Sequence, residues 1–164
     1  MPPGKVQKGS PRLLADRMLG KLVRHLRIAG FDTLFLESGK NPVDEARRSR
    51  RILLTRNRAV AGRCRTLGLT CVLVLENYPH GQTGEVVRKL GARRHARPFS
   101  RCVMCNIPLL DVQDKTDVKG WVPPFVYRSQ NTFRRCPGCG RIFWNATHKR
   151  SMQRLLASVF GEDE

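Results

Sequence analysis

The 164 residues carry 31 Lys and Arg against 13 Asp and Glu, a formal net charge of +18, with 40% hydrophobic residues. That supplies one ordinary domain or two small ones, and the lack of any run of about 18 apolar residues excludes a membrane-spanning helix. Of the basic residues 23 are Arg, whose planar fork grips phosphate and stacks on bases, so the expected partner is a polyanion, RNA or DNA first.

Residues 1–11 read as a flexible basic tail without the apolar stretch of a secretory signal. Leu13-Leu14-Ala15 reads as a short strand. After Asp16 a helical pattern runs to Ile28, with Leu19, Leu22, Val23 and Leu26 forming one apolar stripe and Gly30 as its stop. Asp32 to Leu36 reads as a second strand, and Val43 to Arg51 as a short basic helix. Ile52 to Thr55 is an apolar run of the kind found in buried parallel strands. Residues 58–67 are expected helical, Thr70 to Leu75 a strand and 82–90 a further helix, closed by Gly91.

This alternation predicts βαβ units and a mostly parallel sheet, with ligand chemistry at the carboxyl ends of the strands. Asp16, Glu37, Asn57, Glu76 and Asn77 are the polar residues at those ends.

Ala92 to Arg101 is a basic linker, after which prolines and paired cysteines replace the alternating pattern. Residues 146–160 are expected to form a last helix with Met152, Leu155, Leu156, Val159 and Phe160 on one side, ahead of an acidic tail. The expected parts are a tail over 1–11, an α/β domain over 12–98, a ribbon over 99–146, and a terminal helix and acidic tail over 147–164.

Cys102-x-x-Cys105 and Cys136-x-x-Cys139 are separated by 30 residues, 106–135. Each CxxC turn presents two thiolates along one edge of a tetrahedron, and two such turns close a four-cysteine site for a structural zinc ion. Gly138 and Gly140 suit the second knuckle. With four thiolates no coordination position stays open for catalysis. Cys64 and Cys71 fall outside the pattern and read as small buried residues. Trp121, Phe125, Tyr127, Phe133, Phe143 and Trp144 are expected to fill the core of so small a ribbon, with base stacking as the alternative for one or two. The four His show no ligand spacing. Thiols kept for metal point to an intracellular protein, cytoplasmic first, with organelle or nucleus as alternatives.

The segments Pro11 to Leu22, His25 to Thr33, Arg51 to Asn57 and Pro98 to Cys102 follow one another in an order that resembles the Mut7-C RNase domain family, over roughly residues 11–150. The resemblance implies a PIN-like α/β/α nuclease domain with a C-terminal zinc ribbon, and RNA cleavage with Mg2+ or Mn2+. The family's first acid falls on Asp16. Its strand-end motif Thr-Arg-Asp is here Thr55-Arg56-Asn57, so an amide stands where the family has a carboxylate. A further acid is expected near Gly39 to Asn41, which have none; Asp44, Glu45 and Glu76 are the substitutes within reach.

Phosphate binding is expected from Arg17, Lys21, Arg24 and Arg27, from Arg47, Arg48, Arg56 and Arg58, from Arg93 and Arg94, and from Arg134 and Arg135. Three functions follow: an RNA-binding ribonuclease of the Mut7-C type; a catalytically degenerate RNA-binding subunit of a ribonucleoprotein particle; and a zinc-ribbon adaptor whose apolar C-terminal helix docks on another protein.

Overall fold

The computed structural model describes residues 9–144 and 150–161. Most of the expected basic tail, the last two ribbon positions, the start of the terminal segment with His148, and the acidic tail lie outside the described residues.

Leu13–Ala15 (β1) is buried at all three positions, as a strand covered on both faces must be. It pairs in parallel with Thr33–Phe35 (β2) on one side and Ile52–Thr55 (β3) on the other, and β3 pairs in parallel with Cys71–Leu73 (β4). The order is β2-β1-β3-β4. The crossovers contain Gly20–Ile28 (α1), Pro42–Ser49 (α2) and Arg58–Thr66 (α3), and Pro79–Lys89 (α4) follows β4. Alternate strand side chains face opposite ways. Leu13 and Ala15 pack with Leu22 and Leu26 of α1 and Val86 of α4, whereas Leu14 packs with Val43 and Ala46 of α2 and Cys64 of α3. The result is the three-layer α/β/α arrangement that the alternating pattern and the resemblance imply.

Local chemistry sets the helix ends. A 3-10 turn over Arg17–Leu19 precedes α1, with Asp16 as its cap. Gly30 ends α1 at φ +95°, and a Cβ there would run into the Arg97 carbonyl, so no side chain fits. Helix α4 starts three residues before its expected position, because Pro79 takes the first helical site, where its missing N–H leaves nothing unpaired.

The second sheet is antiparallel, with Leu110–Asp111 (β5), Phe133–Arg135 (β6) and Ile142–Trp144 (β7) in that order. Pro124–Ser129 (α5) lies between β5 and β6. Val118, Val122 and Phe133 form its core, with Tyr127 and Trp144 packed against them. Trp121 and Phe125 do not join it. They are 75% and 71% exposed, because two valines and the Phe133 ring, with the partly buried side chains packed on them, already make up so small an interior.

Arg150–Phe160 (α6) returns to the first core, where Leu155 and Val159 are fully buried among α1 and α4 residues. The approach to α4 is so close that a Cβ on Gly84 would lie 2.7 Å from the Ser158 carbonyl oxygen. Arg93 caps the end of α6 by donating to the Gly161 carbonyl. The apolar face that an adaptor would offer to a partner is therefore used internally. No helix among the described residues is long and apolar enough to cross a membrane.

Candidate functional site

The chain winds one way from β1 to β2 and the other way from β3 to β4, so the sheet has its topological switch point between β1 and β3. Open α/β sheets bind ligands in the crevice outside the carboxyl ends at such a point. Asp16 directly follows β1 and is 8% exposed. Its N–H donates to the Leu54 carbonyl at 3.0 Å. Its Oδ1 accepts the Met18 N–H at 3.1 Å, and its Oδ2 accepts the hydroxyl of Thr55. Thr55, fully buried, accepts the Asn57 N–H on that hydroxyl oxygen at 3.0 Å. One hydroxyl thus joins Asp16 to the backbone of Asn57. The Asn57 amide oxygen caps α3, accepting from the N–H groups of Ala59 at 2.9 Å and Val60 at 3.2 Å.

The other expected acids stand apart from this pair. Asp44 and Glu45 are in the first turn of α2, after β2. Asp44 is exposed, while Glu45 binds Arg48 at 2.6 Å and lies 3.9 Å from Lys40. The hydrogen bond from Arg48 holds the Glu45 carboxyl below its usual range. Glu76, beyond β4, is exposed, and its carbonyl accepts from Arg56 and Gln82, both at 3.0 Å. Among the described residues, the four ribbon cysteines are the one group of three or more Cys, His, Asp or Glu close enough to share a metal. The donors around Asp16 are one engaged carboxylate and one capping amide, and they do not fit the acid cluster of a Mg2+ or Mn2+ nuclease.

Sequence reasoning placed Thr55 in the strand-end motif without its link to Asp16, and missed Glu85. Glu85 is 4% exposed, and its carboxylate accepts the N–H groups of Leu75 at 3.0 Å and Glu76 at 2.9 Å, and Lys89 at 2.6 Å. Burial alone would raise its pKa, but Lys89 and the two N–H groups prevail and lower it. The Glu85–Lys89 spacing of four on a helix was the available signal.

The basic residues divide by what they touch. Arg17, Lys21, Arg24, Arg47 and Arg58 are exposed. Arg17, which donates to the Ser38 hydroxyl at 3.2 Å, follows β1, and Arg56, which donates to the Asn77 side chain at 2.9 Å, and Arg58 follow β3, so all three belong to segments at the carboxyl ends of the strands. Arg27 instead ties α1 to the first cysteine knuckle, donating to the Val103 and Met104 carbonyls at 2.8 and 2.9 Å. Arg48 is held by Glu45, Arg93 by α6, and Arg94 donates to His95. Arg134 binds Asp111 at 2.8 Å, and Arg135 lies over the Trp121 ring, 5.9 Å from its centroid.

The sulfurs of Cys102, Cys105, Cys136 and Cys139 all lie within 4.8 Å of one another, and those of Cys102 and Cys139 are 3.8 Å apart. A tetrahedron with Zn–S near 2.3 Å has an S···S edge of about 3.8 Å, whereas a disulfide needs about 2.05 Å. The cluster could hold a metal ion such as zinc. The Arg141 N–H lowers Cys139 to about 7, whereas the hydrogen bond with Cys139 pushes Cys105 up to about 12. Cys64 and Cys71 lie elsewhere, and burial pushes Cys71 up to about 12, which leaves it inert as a thiol.

Asn106, just after the first knuckle, ties this centre to the parallel sheet. It donates to Asp32 at 2.7 Å and accepts the Thr33 N–H at 3.0 Å. Asp32 also receives both arms of Arg51, at 2.8 and 3.1 Å. Burial works to raise the Asp32 carboxyl, but the hydrogen bonds from Arg51 and Asn106 hold it below its usual value.

The Mut7-C RNAse domain matches residues 11–156. A human protein, "Exonuclease mut-7 homolog", is 34% identical over 105 residues, covering 58% of this chain and 12% of its own length. The chain thus spans about an eighth of that relative. No solved structure matches. The parallel sheet with Asp16 at its switch point and the four-thiol ribbon behind it lie within the matched stretch, and the chain belongs to the Mut7-C RNase domain family.

Proposed function

We propose that this protein binds RNA along the carboxyl edge of its parallel sheet and over the adjoining basic surface, with a nuclease centre reduced to Asp16. The observation that carries this reading is the composition of the edge: one buried carboxylate, already satisfied by Thr55 and Met18, with Arg17 following it after β1 and Arg56 and Arg58 following β3. Such an edge attracts phosphates and lacks the carboxylates that would hold Mg2+ or Mn2+ between them. In this reading the four ribbon cysteines, as thiolates, fill every position of a zinc tetrahedron, and the ion has a structural role. Residues 12–98 and 99–146 serve as two units, and a place in a ribonucleoprotein particle inside the cell suits a family member without a full acid set.

The test is binding of single-stranded RNA across a salt series. Each phosphate contact to a single strand contributes about 0.7 to the slope of log K against log salt. Replacing Arg17 and Arg58 together with Ala should lower that slope by about 1.4. An unchanged slope would remove the carboxyl edge from the interface. The second reading, cleavage of RNA phosphodiesters, is favoured by the position of Asp16 at the end of β1, where the resemblance expects the first acid. Manganese-dependent cleavage by the wild type that disappears in Asp16→Asn would establish it.

A further inference from the structure

Where the linker meets the ribbon, a cavity of about 390 Å³ is lined by Phe99, Asp111, Thr132, Arg134, Phe143 and Trp144, among others. Its size falls within the range of small-ligand pockets, about 300–1,000 Å³. Phe99 has φ +59°, a left-handed backbone that bulky residues rarely adopt. Such a conformation persists where the surroundings over-determine it, and these residues cluster at ligand clamps. Here two bonds from opposite sides fix it. The Phe99 N–H donates to the Ile28 carbonyl at 2.8 Å, and its own carbonyl accepts from Arg134 at 2.7 Å. The aromatic ring is thus set at the cavity by both halves of the molecule.

The polar wall is an acid–base pair. Asp111 and Arg134 sit opposite each other in the register of β5 and β6, with the Arg134 Nε donating to Asp111 Oδ1 at 2.8 Å. The Asp111 side chain is 70% exposed. The Arg134 charge is balanced by Asp111, so this wall has no net charge to hold a phosphate, whereas the excess of 31 basic over 13 acidic residues holds phosphates elsewhere on the chain and leaves the base to enter the cavity. Among the RNA bases, guanine presents two adjacent donors, N1–H and N2–H, beside an acceptor, O6. Those donors match a carboxylate, and the acceptor matches a guanidinium. Adenine, cytosine and uracil do not offer that triad on one edge. Aromatic walls supply the stacking that holds an unpaired base.

We propose that this crevice takes one unpaired guanine of an RNA strand, packed against Phe99 and Phe143 with its Watson–Crick edge on Asp111 and Arg134. The inference rests on the RNA-binding reading above and adds a base preference to it. The experiment uses the full chain with zinc and two short oligouridylates, one with a central guanosine and one with a central adenosine. Their affinities are compared by fluorescence anisotropy at about 100 mM salt. The guanosine strand should bind about tenfold tighter, and Asp111→Asn should bring the ratio to about 1. A ratio near 1 in the wild type, or one that Asp111→Asn leaves unchanged, overturns the proposal. Photocrosslinking the wild type to a strand carrying 6-thioguanosine locates the base without any variant. Attachment at Phe99, Phe143 or Trp144 supports the pocket, and attachment confined to other residues overturns it. Salt-sensitive binding of both strands without preference sinks the pocket alone, whereas no binding of either strand sinks the RNA-binding reading with it.

Discussion

The two sites of this molecule differ in how completely their chemistry is assembled. In the ribbon, four ligands of one kind converge within 4.8 Å, and each belongs to a pattern four residues long. At the switch point of the sheet, a threonine hydroxyl joins one carboxylate to the backbone of Asn57, whose side-chain amide caps α3, and the remaining candidate acids lie on other elements or face solvent. A metal centre that supports folding cannot lose a ligand without losing the ribbon. A catalytic centre can lose one and leave the fold intact, because Asn57 caps α3 as well as Asp would. Stability therefore guards the first site and not the second.

Metal removal should break this comparison most visibly. Structural zinc in small Cys-ligated modules supplies about 10–16 kcal/mol of apparent binding energy that is folding energy. Chelation, or Cys136→Ser, should therefore unfold the ribbon while the parallel sheet persists. Hydrogen exchange is the check: amides of β6 and β7 lose protection, and those of Leu53 and Leu54 keep it. Elemental analysis of the purified protein should give one zinc per chain. If both sheets melt together, the ribbon is not a separate unit.

The Asp32 junction should give the next largest effect. The Arg51 side chain is 6% exposed, and Asp32 is its ion-pair partner. Asp32→Asn weakens a pair of charged hydrogen bonds, and each bond of that type contributes about 1.5–3 kcal/mol. Because the folded carboxyl lies below its unfolded value of about 3.9, its contribution is present above that pH and fades as pH falls through the folded pKa. Wild type and Asp32→Asn should differ clearly in denaturant midpoint at neutral pH and converge well below pH 4. A constant difference across that range would mean the pair acts by packing alone.

A smaller change should follow Gly84→Ala. The added methyl meets the Ser158 carbonyl, and overpacking of this kind costs about 1–3 kcal/mol. The melting temperature should fall, and the amides of α6 should exchange faster while those of the ribbon do not change. Equal loosening of ribbon and α6 would place the helix with the wrong partner.

What the sequence made legible follows from range. The strand–helix alternation, the stripe of Leu22, Val23 and Leu26, and the thiol pairs are all signals within a few residues, and each folds as read. The unread features depend on neighbours distant in the chain. The apolar face of α6 was plain, but its seat on α4 depends on Gly84, 74 residues before Ser158, being small. Arg27 looked like one of a basic stripe, yet its fork lies on carbonyls 76 and 77 residues away. Glu85 shows its helical partner Lys89 in the sequence, but the enclosing N–H groups of Leu75 and Glu76 come from the turn after β4. Trp121 and Phe125 looked like core because aromatic content alone does not say which rings a small interior can hold.

The least disruptive substitution tests the switch point itself. Asn57→Asp keeps the oxygen that caps α3 and adds a negative charge at the helix N-terminus, where the dipole favours it by about 0.3–1 kcal/mol. Nearby Asp16 is an opposing like charge, so the net change in stability should stay within about 0.5 kcal/mol, read as denaturant midpoint. The chemistry should move further than the fold. A second carboxylate beside Asp16 restores the acidic pair that Mg2+ or Mn2+ is usually held by. The variant should bind Mn2+ more tightly than the wild type, by calorimetry, and show or increase manganese-dependent cleavage of single-stranded RNA. Asp16→Asn in the same background should abolish that gain. If Asn57→Asp leaves both manganese affinity and cleavage where they were, then the amide is not what limits this centre, and the missing charge lies with the acids displaced onto α2.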